Sequence, residues 1–181
     1  MNLPNVLSLL RILLIPVFVI MIMDKFFGWA LVTFAIAGIT DGMDGLIARV
    51  THQRTELGAY LDPIADKLLL TAAFVTLAII EIIPNWLAVI VITRDVIILL
   101  GFFVLLLTNH RPKIRPTLVS KVTTGFQTST ILLVLLTGYN PVFNSLCTIA
   151  IYGATLFTIL SGAHYIYLGT HLLNGRETSL N

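Results

Sequence analysis

Residues 41–66 have the sequence DGMDGLIARVTHQRTELGAYLDPIAD, and this stretch is the strongest indication of the fold and function of the chain. It contains Asp41, Asp44, Asp62 and Asp66, although the whole chain has only nine acidic residues. The flanking segments, LVTFAIAGIT and KLLLTAAFVTLAII, are as apolar as membrane helices. Acidic side chains at the edge of hydrocarbon are costly and are usually retained for function or for a cation. Because hard divalent cations prefer carboxylate oxygens, the stretch predicts a metal site at a membrane boundary.

The composition also indicates a membrane protein. Hydrophobic residues make up 57% of the 181 residues and charged residues 11%, whereas a soluble domain has about 25% charged residues. No linker or low-complexity tract divides the chain, so residues 1–181 are predicted to form one domain. We expect an all-α integral membrane protein with six transmembrane helices, each close to the ~20 residues that cross a bilayer. The predicted spans are 8–24, 28–48, 61–82, 86–107, 121–138 and 145–168.

The distribution of Lys and Arg predicts the orientation, because cytoplasmic ends of membrane helices carry an excess of both. With six spans both termini lie on one side, which also carries Arg49, Arg54 and the basic loop RPKIRPTLVSK at residues 111–121. The opposite side carries Lys25 alone. The termini and the acidic stretch are therefore predicted to be cytoplasmic. The basic loop either follows this topology rule and attracts anionic headgroups or contacts a substrate.

The spacing of the four aspartates indicates what they do. The first two are spaced i, i+3 and the last two i, i+4, so each pair shares a helical face. Two antiparallel helices joined by residues 50–56 would bring the pairs together. Four facing carboxylates cannot all stay ionised without cations between them, and two-metal phosphoryl-transfer sites hold their ions ~3.5–4 Å apart. Arg49 is suited to grip a phosphate. The alternative is that the acids only form ion pairs with Arg49, Arg54 and Lys67.

The motif resembles the signature of the CDP-alcohol phosphatidyltransferases. Eight positions match that signature without a gap: Asp41, Asp44, Gly45, Ala48, Arg49, Gly58, Asp62 and Asp66. The opening LPNVLSLLRILLIPV and the segment LDPIADK resemble the phosphatidylglycerophosphate synthase and CMP-forming cardiolipin synthase branch. The resemblance implies a homodimeric six-helix membrane enzyme with two Mg²⁺ or Mn²⁺ ions per site. It would transfer a phosphatidyl group from CDP-diacylglycerol to a glycerol-type alcohol and release CMP, with membrane lipids and no nucleic acid as partners.

The resemblance also implies roles for individual residues. Asp41, Asp44, Asp62 and Asp66 would hold the metals, and Asp66 would in addition accept the proton of the incoming hydroxyl. The positions that would bind the CDP part of the lipid are Pro4, Asn5, Gly45, Arg49 and Thr55.

The acceptor is predicted from the fourth span. Arg94 and Asp95 lie inside it, where an ion pair must face protein or a polar cavity, and this pair is either structural or orients the acceptor. No basic residue follows Arg94 before Arg111, which favours phosphatidylglycerol over glycerol 3-phosphate, the alternative acceptor. Arg94, Arg115 and Lys121 are the candidate acceptor contacts. A cation transporter is a remote alternative, because its acids would be expected near the bilayer midplane.

Overall fold

Six α-helices make up the ordered elements of the computed structural model, which describes residues 3–50, 56–107, 118–138 and 142–173. No strand occurs in these ranges, so the all-α class and the predicted number of helices are confirmed. The helices are α1 Leu3–Met23, α2 Phe27–Val50, α3 Glu56–Ile79, α4 Asn85–Leu107, α5 Leu118–Thr137 and α6 Phe143–Leu173.

The acidic stretch lies on two successive helices. The predicted membrane spans end at residue 48 and resume at 61, and the helices extend beyond them as the predicted joining segment of residues 50–56 requires: α2 continues to Val50 and α3 begins at Glu56. The helical backbone therefore includes all four aspartates, and it gives the pairs the i, i+3 and i, i+4 spacing of one helical turn. The residues that join the two helices, 51–55, lie outside the described part of the chain.

The two short turns of the bundle have the same capping geometry. After α1 the N–H of Phe26 donates to the carbonyl of Met21 at 2.8 Å, and after α3 the N–H of Ile82 donates to Leu77 at 3.0 Å. In each turn the residue before the donor, Lys25 or Glu81, has a φ of 61°. This is the Schellman arrangement that ends a helix and satisfies its last carbonyls. Both turns lie close to the predicted ends of spans at residues 24 and 82.

The apolar core of the bundle lies where α1 packs against α2 and α3, and it continues into α4 and α5. Its largest members are fully buried aromatic and aliphatic side chains, and the Phe18 and Phe34 rings lie 5.5 Å apart. A second contact, between α5 and α6, is more polar. Thr123 donates to the Phe157 carbonyl at 3.0 Å and Thr130 to the Ala150 carbonyl at 3.1 Å. Hydroxyl groups buried between apolar helices are satisfied in this way.

Two of the helices are long and apolar enough, among the residues described, to cross a membrane by length and composition. These segments are Leu118–Thr137 and Phe143–His171. Shorter apolar segments occur at Ser8–Met23 and Phe27–Thr40. Large apolar side chains such as Leu13, Trp29 and Ile149 point outward and are mostly exposed, as lipid-facing residues would be. The crossing of all six helices stays a prediction.

Candidate active site

Asp66 lies in the first half of α3 and opens onto a cavity of about 240 Å³. Four helices line this cavity: α3 with Asp66 and Lys67, α4 with Arg94 and Asp95, and α5 and α6 with mostly polar side chains. The side chain of Asp66 is half-buried. The sequence predicted a proton acceptor at this position, and here the residue lines a partly open space large enough for a small polar group.

Asp95 forms ion pairs with both Lys67 and Arg94, the two basic residues described in the cavity. Its Oδ1 accepts a hydrogen bond from Lys67 Nζ at 2.7 Å and another from Arg94 Nη1, also at 2.7 Å. The Asp95 side chain is 14% exposed, whereas that of Lys67 is 36% exposed. One acid thus balances two bases, and Asp66 supplies a second negative charge on the same cavity wall. A buried carboxylate is stable only when it is paired and hydrogen-bonded, which this arrangement provides.

Arg94 is almost completely enclosed by protein. Only 5% of it is exposed, and its Nε and Nη2 donate to Ser161 Oγ at 3.2 and 2.8 Å. Nη2 also donates to Ser120 Oγ at 2.6 Å, and the guanidinium lies 5.9 Å from the centre of the Tyr165 ring. With the bond to Asp95, these contacts involve all three of its nitrogen atoms. Arg94 therefore ties α4 to α5 and α6.

The remaining polar wall of the cavity comes from α5. Thr124 and Gln127 line it one helical turn apart, next to Ser120. Gln127 is buried and donates from Nε2 to Thr158 Oγ1 at 3.1 Å, which fixes its amide against α6. The α5 side of the cavity therefore offers neutral hydroxyl and amide groups and no charge.

A groove along α5 adjoins the cavity. It has a volume of about 550 Å³ and shares Ser120 and Thr124 with the cavity. Its other lining residues are small or polar, and they include the exposed Lys121. A Cβ at Gly125 would meet no atom within 4 Å, so the groove is open at this position. The groove and the cavity of Asp66 therefore share part of their lining on α5.

The structure brings together some of the predicted site residues. Asp66 and Arg94 line one cavity, and Lys121 lies in the adjoining groove. Arg115 and Thr55 lie outside the described residues. Of the other predicted residues the structure describes the helical backbone but not the side chains: Pro4, Asn5, Asp41, Asp44, Gly45, Arg49 and Asp62. Among the side chains that are described, no three His, Cys, Asp or Glu residues form a metal-binding group.

Several residues of the cavity were not assigned to the site by the sequence analysis, among them Lys67, Gln127 and Tyr165. Lys67 had been considered only as an ion-pair partner for the acidic motif, yet its ion pair in the described residues is with Asp95. The sequence does contain a signal for the Lys67–Asp95 pair, because a cation in an apolar helix needs a partner and Asp95 is the only acid in α4. Gln127 and Tyr165 carry no comparable signal, since their placement depends on how α5 and α6 pack.

Comparison with known proteins gives the family. The sequence profile described as CDP-alcohol phosphatidyltransferase matches residues 1–160. The chain therefore belongs to the CDP-alcohol phosphatidyltransferase family.

Individual relatives have three different names. The chain is 36% identical to the human cardiolipin synthase (CMP-forming), in an alignment that covers 98% of this chain and 62% of that protein. It is 35% identical to a probable phosphatidylglycerophosphate synthase of Mycobacterium tuberculosis (strain CDC 1551 / Oshkosh), with 98% and 87% covered. It is 30% identical to the CDP-diacylglycerol–glycerol-3-phosphate 3-phosphatidyltransferase of Bacillus subtilis (strain 168), with 91% and 93% covered. The chain spans only 62% and 60% of the human and rat cardiolipin synthases.

Proposed function

We propose that this protein transfers a phosphatidyl group from CDP-diacylglycerol to the hydroxyl of phosphatidylglycerol, forming cardiolipin and CMP. The observation that carries this proposal is the carboxylate of Asp66, which lines a polar cavity that adjoins the α5 groove. The names of the relatives support the same chemistry. Glycerol 3-phosphate, which gives phosphatidylglycerophosphate, is the second candidate acceptor, because relatives with that activity in their names are nearly as similar.

The proposed reaction is a direct displacement at the phosphatidyl phosphorus. The acceptor oxygen forms a new bond to this phosphorus, the bond between the phosphorus and the bridging oxygen breaks, and CMP leaves with the electron pair. Asp66 takes the proton of the hydroxyl, since a carboxylate within hydrogen-bond reach can act as a general base. No Ser, Cys or His lies inside the acidic motif at an evident nucleophile position, so we propose no covalent intermediate.

The donor set of the motif fits Mg²⁺ or Mn²⁺. Carboxylates are the ligands that these hard cations prefer, and the helical spacing of the two aspartate pairs allows each pair to present its oxygens on one face. We propose that two ions are held by Asp41, Asp44, Asp62 and Asp66. When bound, such ions neutralise negative charge on the diphosphate and on the departing CMP.

The CDP end of the donor lipid is proposed to lie at the start of α1 and the end of α2. Pro4 and Asn5 belong to the first turns of α1, and Gly45 and Arg49 belong to the last turns of α2. Arg49 is suited to a diphosphate because its planar fork of donors matches phosphate oxygens. Thr55 would complete the set from the segment between the helices.

The charges of the cavity favour a lipid acceptor. Two basic and two acidic side chains among the described residues line it, and each of the three nitrogen atoms of Arg94 already donates to a protein partner. A phosphate monoester dianion calls for several well-placed cations, whereas the phosphodiester of phosphatidylglycerol carries one charge. The α5 groove also offers the rest of a lipid headgroup an open polar surface beside the cavity. Against this preference, Lys121 in the groove and Arg115 could supply the missing cations.

The membrane arrangement is part of the proposal. We propose six spans, with both termini and the acidic motif on the cytoplasmic side, in one domain of residues 1–181 that forms a homodimer. Lys25 lies in the turn after α1 and is the one basic residue expected on the far side. Cysteine labelling of single introduced thiols at residue 25 and residue 121, from outside and after permeabilisation, tests this orientation.

The acceptor is tested with purified protein and CDP-diacylglycerol. We expect CMP release and cardiolipin formation with phosphatidylglycerol, at a higher kcat/KM than product formation with glycerol 3-phosphate. Each acceptor is offered separately, and the lipid product is identified by mass spectrometry. If glycerol 3-phosphate were the better acceptor, and Lys121→Ala raised its KM, the ranking of the acceptors would be reversed. Absence of CMP release with either acceptor would refute the transferase activity.

Metal removal gives a separate prediction. Excess EDTA should abolish CMP release, and addition of Mg²⁺ or Mn²⁺ beyond the chelator should restore it, because four carboxylates cannot converge on a diphosphate without cations. The same protein incubated with EDTA and then dialysed into Mg²⁺ controls for irreversible damage. Undiminished turnover in EDTA would contradict the proposed metal site.

A further inference from the structure

We infer that Lys67 binds the phosphate group of the acceptor. This assignment rests on the proposed function and gives a substrate role to a residue that the sequence suggested only as an ion-pair partner of the acidic motif. Lys67 follows Asp66 directly in α3, and both side chains line the same 240 Å³ cavity. The acceptor hydroxyl has to reach Asp66, and its phosphate is one glycerol unit away. A cation beside Asp66 is therefore where the phosphate must lie.

The comparison of Lys67 with Arg94 supports this choice. Arg94 is 5% exposed, and its three nitrogen atoms donate to Asp95, Ser120 and Ser161. Lys67 is 36% exposed at its side chain and, within the described residues, donates one hydrogen bond, to Asp95. An ammonium group has three donors, so Lys67 keeps donors for a ligand. Of the two cations in the cavity, Lys67 is the one that can turn toward a substrate.

Asp95 orients Lys67 for this role. The 2.7 Å bond to Asp95 holds the ammonium group on the cavity wall, and Asp95 is itself fixed by Arg94. A phosphate that approaches Lys67 also meets Ser120 and Thr124 of α5, which line the same cavity. The cavity has two cations and two carboxylates among the described residues, a balance that suits a phosphodiester monoanion better than a phosphate dianion. Asp95 is a positioning residue, because it acts through Lys67.

The test compares Lys67→Met with Lys67→Arg. Lys67→Met keeps much of the length of the side chain but removes the charge. We expect its KM for phosphatidylglycerol to rise about ten- to hundredfold, since hydrogen bonds to charged groups are worth that much in affinity. The KM for CDP-diacylglycerol should stay within a factor of two or so of wild type. Lys67→Arg should recover most of the acceptor affinity because it keeps the charge. Lys25→Met, in the turn after α1, is the matched control and should change neither constant.

The outcomes separate this inference from the proposed function. An unchanged acceptor KM in Lys67→Met, or a rise in the KM for CDP-diacylglycerol instead, overturns the inference while the transferase activity stands. A rise in the KM for CDP-diacylglycerol would indicate that Lys67 binds the diphosphate of the donor lipid instead. If Lys67→Met does not fold, Lys67→Gln carries the same test, because its amide can still donate to Asp95. Wild-type protein that releases no CMP overturns the proposed function and this inference with it.

Discussion

Replacing Asp66 with asparagine is expected to abolish turnover while leaving CDP-diacylglycerol binding largely intact. The amide has nearly the shape of the carboxylate but cannot take the proton of the acceptor hydroxyl. Loss of a general base costs about 10²–10⁴ in rate, so kcat should fall at least a hundredfold. CMP release gives kcat, and binding of radiolabelled CDP-diacylglycerol to the purified variant gives the affinity.

Two further variants test whether the effect of Asp66→Asn is specific to the proton acceptor. Asp24→Asn changes an exposed aspartate in the turn after α1 and should leave turnover unchanged. Asp41→Asn should lose affinity for CDP-diacylglycerol as well as turnover, because that carboxylate is proposed to anchor the metals. Turnover of Asp66→Asn close to that of wild type would show that another group accepts the proton.

The helices could be predicted from the sequence because the signals were local. Apolar segments of the right length and the polar breaks near Lys25 and Glu81 indicated six helices, and the turns at these two residues are where the chain bends. The helix ends in the acidic stretch could also be predicted, because the spacing of the aspartates required two helices joined by residues 50–56. In the structure α2 continues to Val50 and α3 begins at Glu56, since helical hydrogen bonds do not require apolar side chains.

The candidate site could be predicted only where its residues are close in sequence. The four aspartates and Arg49 lie in one stretch with helical spacing, so the motif was visible at once. The cavity around Asp66 depends on contacts between residues far apart, such as Lys67 with Asp95 and Arg94 with Ser161. No local pattern specifies which faces of α5 and α6 meet α4. The sequence therefore left open whether Arg94 was structural or bound the acceptor.

Arg94→Met should destabilise the protein strongly, because it removes the residue that joins α4, α5 and α6. Ser120 and Ser161 would lose the guanidinium that donates to them. Asp95 would lose one of its two ion-pair partners and keep only Lys67. Removing one partner of a buried ionic network costs about 3 kcal/mol or more. In a chain of this size that corresponds to roughly 6–12 °C in melting temperature. Thermal unfolding of the variant in detergent, with and without CDP-diacylglycerol, measures the change.

Serine variants on α5 give the matched control for this network. Ser120→Ala removes a hydroxyl that Arg94 contacts at 2.6 Å, whereas Ser129→Ala removes an exposed one on the same helix. We expect the first to lower the melting temperature by a few degrees and the second to leave it unchanged. Arg94→Lys should not rescue, because one ammonium group cannot reproduce the fork that reaches Asp95, Ser120 and Ser161 together. If Arg94→Met kept the wild-type melting temperature but raised the acceptor KM, Arg94 would bind the acceptor, and its contacts with α5 and α6 would matter little for stability.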